Sequence, residues 1–172
     1  MVTPNLKRLC LAGLVAILGL LAAPAASAQL SVGARFPSLA TFNLVGTPPE
    51  TKGSVVLVDF WASWCAPCKA SFPAYTQLQA QYAGKGLIIL GVSVDESPSA
   101  YATFIAKNKP GFATVSDRSH ALVEAVQVPT MPTSYLVDRN GTIRFVHAGF
   151  HAGETERELR HELDALLDEK AP

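Results

Sequence analysis

The stretch SVVLVDFWASWCAPC, residues 54–68, constrains this chain more than any other. Residues 54–60 are a continuous apolar run rich in β-branched side chains, interrupted by a single acid, Asp59. That is the pattern of a strand buried on both faces. Two cysteines follow at once, with Ala66 and Pro67 between them. Proline is tolerated in the first turn of a helix, so the pair predicts a strand-to-helix junction with Cys65 at the helix start. A strand covered on both faces needs helices on each side of its sheet, which means a layered α/β domain.

The rest of the chain is read from that junction outward. The first helix is predicted to run from the cysteine motif to about Tyr82, broken by Pro73 and closed by Gly84. LIILGVSV, residues 87–94, reads as a second buried strand. Ser97-Pro98 is an N-cap with proline at the first helical position, and Tyr101, Phe104 and Ile105 give that helix one apolar face. A short strand is expected over 112–116 and a short helix over 119–126, with Leu122, Val123 and Val126 on one side. TSYLV (133–137) and TIRFVH (142–147) flank Asp138-Arg139-Asn140-Gly141, and Asn-Gly between β-rich runs signals a hairpin. The last helix opens on a capping box, Thr155 to Glu158, and turns Leu159, Leu163, Leu166 and Leu167 inward. Residues 29–53 read as irregular, with short strands at 39–44 and near the start. The sum is one α/β domain whose central mixed sheet is flanked by helices.

At 172 residues the chain suits one well-cored domain. Residues 1–8 carry Lys7 and Arg8 and no acid, residues 9–23 are almost wholly apolar, and Ala26-Ser27-Ala28 closes the segment with small residues. This predicts an export signal over residues 1–28, cut after Ala28, with 29–172 as the mature periplasmic domain. The alternative is an uncleaved membrane anchor, because residues 9–28 number about a span. Pro24 and the small residues favour cleavage. Cys10 lies at the front of the apolar stretch, away from the position of a lipid-modified cysteine. Without Lys7 and Arg8, 12 basic residues face 14 acidic ones, a net charge near −2. No basic face or charge run remains, so nucleic acid is not an expected partner. Of the three cysteines only Cys65 and Cys68 survive, and no third thiol is left to scramble with them.

Three chemistries use this cysteine spacing. A structural zinc site needs four Cys or His ligands, but here one pair stands alone. His120, His147, His151 and His161 have no spacing that completes it, so no metal is expected. A structural disulfide closing so short a loop removes little chain entropy and makes a poor staple. Reversible exchange fits better. A sulfur at a helix start faces unpaired N–H groups and the positive dipole end, which favours the thiolate. Cys65 is then the attacking residue, and Cys68, one turn on and less exposed, the resolving one. Trp61 reads as core.

VVLVDFWASWCAPCKASFP resembles the thioredoxin superfamily in Asp59 within VDFWA, in the WCxPC motif, and in Pro73 five residues past Cys68. MPTSYLVDRNG, residues 131–141, is similar to that family's second signature, a cis-proline loop before a strand and hairpin. The 64 positions from Cys68 to Pro132 exceed a plain thioredoxin by about one helix and one strand, residues 97–116. That excess matches the central insertion of the TlpA/ResA/DsbE group. The resemblance implies a thioredoxin-like fold with a helix–strand insertion, and an exported thiol–disulfide oxidoreductase that needs no bound cofactor.

It also implies the site: Cys65 and Cys68 as the redox pair, Asp59 as a buried base of raised pKa that takes the Cys68 proton, and Trp64, Met131 and Pro132 toward the substrate. The implied partners are client protein thiols or disulfides, among them apocytochrome c or its assembly factors, and an upstream membrane thiol donor. Two positions depart from the group. Ser71 stands where many members carry Glu, and Asp59 where many carry Asn. The departure bears on the cytochrome role more than on the exchange chemistry. Reduction is the expected direction, although an oxidase or isomerase would use the same residues. A thiol peroxidase would want Thr at position 62, which is Ala62 here. A copper-binding module is the non-enzymatic alternative.

Overall fold

The computed structural model describes residues 29–170. The expected signal over residues 1–28, with Cys10 inside it, therefore lies outside the described residues. Strands β1 (Val55–Trp61), β2 (Leu87–Ser93), β3 (Ala113–Ser116), β4 (Thr133–Val137) and β5 (Ile143–Ala148) form one sheet in the order β3-β2-β1-β4-β5. β1, β2 and β3 run parallel, while β4 is antiparallel to both β1 and β5. Helices α1 (Ala66–Tyr82), α2 (Pro98–Asn108), α3 (Ala121–Val126) and α4 (Glu154–Asp168) complete the domain. The helix and strand expected over 97–116 are α2 and β3, and β3 widens the sheet at its edge. No helix among the described residues is long and apolar enough to cross a membrane.

Alternation along β1 separates two cores. Val55, Leu57 and Trp61 join Phe72, Tyr75 and Leu78 of α1, Phe104 of α2 and Leu159, Leu163 and Leu166 of α4. Val56, Val58 and Phe60 pack with Leu122 and Val126 of α3 on the other face. Every residue of β1 is buried, as its unbroken apolar run requires. The Trp61 ring lies 4.8 Å from that of Phe72 and 4.6 Å from that of Phe104, tying α1 and α2 to the end of β1. Side chains of this size contribute about 1.5–3 kcal/mol each when fully buried.

Residues 29–45 lie along the outside of the sheet and reach both of its edges. Gly33 N–H donates to the Ile143 carbonyl at 2.8 Å and Ile143 N–H to the Ala34 carbonyl at 2.8 Å, on the open side of β5. Val45 and Ser116 exchange backbone bonds of 2.8 and 2.9 Å on the open side of β3. Leu30, Phe36, Leu39, Phe42 and Leu44 pack on the second core between these two anchor points.

Four expectations need correction. Residues 39–44 are not a strand: Leu39–Thr41 is a single 3₁₀ turn, in which the Thr41 hydroxyl donates to the Ser38 carbonyl at 2.7 Å. Local bonds there consume the groups a strand would have offered. α1 runs through Pro73 unbroken. Pro73 has no N–H for the Lys69 carbonyl, but both residues are exposed, so water can take that acceptor. Buried Phe72, Ala74, Tyr75 and Leu78 hold the helix together on its other side. The capping box is absent because α4 starts earlier, with Gly153 at the N-cap at φ 78°, a backbone suited to glycine. Thr155 Oγ1 accepts instead from His151 N–H at 3.0 Å. α3 starts at Ala121 and not at Ser119, because His120 is left-handed and Asp117 caps the helix by accepting from the N–H groups of Leu122 and Val123.

Candidate active site

β1 ends at Trp61, and a tight turn over Ser63 and Trp64 delivers Cys65 to the start of α1. Cys65 is the N-cap, with Pro67 in the first turn, as the sequence predicted. Cys65 and Cys68 are joined by a disulfide with Cα atoms 5.3 Å apart. The Cys65 sulfur accepts from Cys68 N–H at 3.2 Å, so one orphan donor of the helix end already points at it. Only Cys65 keeps any exposure, 5 % against 0 % for Cys68.

Asp59 is fully buried on the α1 side of the sheet. Its Oδ1 accepts from the Tyr75 hydroxyl at 3.3 Å, and its Oδ2 has no partner among the described residues. Burial pushes the Asp59 carboxyl well above the usual carboxylate range, and the Tyr75 bond opposes this only in part. Tyr75 is itself raised well above an ordinary tyrosine, by burial first and then by the Asp59 charge. Ser134 faces Asp59 across the β1–β4 ladder, and buried Ser71 donates to the Cys68 carbonyl at 2.9 Å. Acid, tyrosine and resolving cysteine thus belong to one buried layer between β1 and α1.

Met131 and Pro132 precede β4, and Thr133 pairs with Phe60, so this loop lies beside the end of β1 from which the cysteine motif departs. The Met131–Pro132 peptide is cis. The Pro132 carbonyl accepts from Gly149 N–H at 2.7 Å, and the Thr133 hydroxyl donates to the Thr130 carbonyl at 2.8 Å. Among the described residues nothing engages the Met131 N–H or C=O. Met131 packs against the same core that holds both cysteines. Trp64 is 70 % exposed, whereas Trp61 is wholly buried.

Two contacts were not anticipated. Tyr75 reads in sequence as one more apolar position of α1, and its hydroxyl is the only hint of a polar task. Asp95, in the stretch VDESP, reads as a strand-end acid before a helix, yet it holds the turn ahead of Cys65 by hydrogen bonds to Ser63. Of the histidines, His147 pairs with Glu162 at 2.7 Å on the α4 side of β5, and His120 Nε2 lies 3.0 Å from the Val94 carbonyl.

The AhpC/TSA family model matches residues 32–146. The thiol–disulfide oxidoreductase ResA of Bacillus anthracis is 28 % identical over 118 residues, 67 % of this chain and 68 % of that protein. Among solved structures, the putative thiol:disulfide interchange protein DsbE from Chlorobium tepidum matches with a TM-score of 0.75 and 35 % identity, over 81 % of this chain and 99 % of that one. StoA from Bacillus subtilis matches with a TM-score of 0.57 and 26 % identity, over 64 % and 85 %. The sheet of five strands with four helices agrees with these relatives in fold. The chain therefore belongs to the AhpC/TSA family, as a thioredoxin-like thiol–disulfide oxidoreductase of the ResA/DsbE type.

Proposed function

We propose that the chain is exported, with residues 1–28 as its signal, and passes electrons from a membrane thiol donor to disulfides of client proteins. The observation that supports this reading is the unequal pair at the head of α1, with a buried acid of raised pKa, Asp59, on the strand that leads into it. In the reduced protein the Cys65 thiolate attacks one sulfur of a client disulfide. A mixed disulfide forms, and the client's other sulfur leaves as a thiolate. Cys68 then gives its proton to Asp59 and attacks the Cys65 sulfur. The client's second sulfur departs as a thiolate and takes its proton from solvent, and the Cys65–Cys68 disulfide remains. Two electrons have moved to the client, and the donor restores the dithiol. An extended client segment would lodge against the exposed Trp64 and the free backbone groups of Met131. Apocytochrome c or its assembly factors are the proposed clients, by resemblance to the TlpA group.

Two measurements test this. The potential of the Cys65–Cys68 couple, titrated against dithiothreitol, is expected nearer about −270 mV than about −120 mV; a value above roughly −150 mV removes the reductant role. Cys68→Ser is expected to accumulate covalent client complexes on non-reducing gels, because its hydroxyl cannot displace the client. Cys65→Ser is expected to trap none. The reverse pattern would exchange the two roles.

A further inference from the structure

Asp95 follows the end of β2, is 3 % exposed, and spends its carboxylate on the turn that delivers Cys65. Oδ1 accepts from Ser63 N–H at 3.1 Å and from the Ser63 hydroxyl at 2.8 Å. Oδ2 shares the same N–H at 3.0 Å and accepts from the Ser93 hydroxyl at 2.8 Å. Ser93 Oγ in turn accepts Asp95 N–H at 3.1 Å, which fixes the acid's own backbone. Nearby, Val94 N–H donates to the Trp61 carbonyl at 2.9 Å, and Cys65 N–H to the Ala62 carbonyl at 3.1 Å. The segment 62–65 is therefore held from both ends and, in the middle, by one buried acid.

A buried carboxylate is costly unless its lone pairs are filled, and bonds to it are stronger than neutral ones. Here most of its contacts go to a single residue, Ser63, two positions before the attacking sulfur. While the disulfide is closed, the covalent bond itself holds Cys65 against α1. Once the disulfide opens, that restraint is gone and the Asp95–Ser63 clamp remains on the amino-terminal side of Cys65. In the reduced protein, therefore, the position of the Cys65 sulfur relies on the clamp.

We propose that Asp95 is a positioning residue for the dithiol: by clamping the Ser63–Trp64 turn it keeps the Cys65 sulfur in place for reclosure when the pair is reduced. The proposal rests on the exchange reading above. A looser turn lowers the effective concentration of the two sulfurs for each other, because reacting groups held in register close faster and more completely. Losing the clamp thus favours the dithiol over the disulfide, and the couple becomes less reducing.

The test is the dithiol/disulfide equilibrium of the purified protein in glutathione buffers, together with urea melts of both redox forms. Asp95→Ala is expected to shift the equilibrium toward the dithiol by about tenfold, or ~30 mV for a two-electron couple. Ser63→Ala, which removes only the hydroxyl bond, should shift it the same way by less; it stands in if Asp95→Ala fails to fold. Asp117→Asn is the control. That acid is also fully buried, but it caps α3, so it should weaken both redox forms equally and leave the equilibrium in place. If Asp95→Ala and Ser63→Ala also weaken both forms equally, with the equilibrium unmoved, the clamp is merely structural and the proposal fails. Glutathione reads the couple without any client, so failure of the proposed client role would leave this result standing.

Discussion

Asp59→Asn replaces a buried carboxyl with a neutral amide of the same shape, and its effect on stability has a definite dependence on pH. Asp59 is wholly buried with one oxygen unpartnered, and its carboxyl is pushed well above its ordinary value of 3.8. In the unfolded chain it titrates normally. As pH rises past about 4 the unfolded state gives up this proton while the folded state keeps it, so the parent loses stability. The loss is about 1.4 kcal/mol per pH unit, and it stops only when the folded carboxyl ionises. The variant has no such titration. Its new N–H donors, buried where Oδ2 had no partner, add a cost of about 1–3 kcal/mol that does not vary with pH. The stability of variant minus parent should therefore start negative near pH 4, climb with that slope, and flatten at the folded pKa of Asp59. Urea unfolding of the disulfide forms from pH 4 to 9 measures it, since the bonded cysteines do not titrate. The other ionisable groups are common to both proteins and cancel, apart from Tyr75, whose raised pKa keeps it neutral across this window. A difference that stays level from pH 4 to 8 would refute the reasoning, whatever its sign. With turnover measured beside stability, slower release of the mixed disulfide that recovers at alkaline pH is the signature of a lost proton acceptor.

Two further substitutions probe the frame around the site. Gly91→Ala would place a Cβ 3.0 Å from Trp61 Nε1 and 3.2 Å from Phe112 Cε2, so a loss of about 1–3 kcal/mol is expected in urea melts; a loss below about 0.5 kcal/mol would show that the Trp61 ring gives way freely. Arg139→Ala removes donors to the carbonyls of Leu166, Leu167 and Glu169 at 2.9–3.2 Å, and should cost about 1–2 kcal/mol and speed amide exchange in the last turn of α4. Unchanged exchange there would mean that water replaces the guanidinium fully.

The parts legible in the sequence are those that one local pattern decides. β1, the start of α1 and the burial of Asp59 follow from an apolar run that meets Cys65-Ala66-Pro67-Cys68, whereas the insertion was legible only through the family resemblance, against which the distance from Cys68 to Pro132 is long. The parts missed depend on residues far apart in the chain. Tyr75 reaches Asp59 across 16 positions, and Asp95 reaches Ser63 across 32. No periodicity records which inward tyrosine meets an acid. Thr155 and Glu158 had the right spacing for a cap, but Gly153 offers an earlier start, and Glu158 instead lies 3.6 Å from His147. Residues 39–44 have strand-like composition, yet Ser38 and Thr41 close a turn within them.

That irregular leading segment has a consequence for life in a crowded compartment. An open five-stranded sheet ends in two rows of vacant N–H and C=O groups, each a template on which a neighbouring chain can grow a strand. Here Gly33 and Ala34 occupy one such row at Ile143, and Val45 occupies the other at Ser116. The segment works as a gasket, occupying part of both rims of the sheet where self-association would otherwise begin. A chain trimmed back to residue 46 would lose that guard on both sides at once, and clumping would follow from the same hydrogen-bonding groups that build the fold.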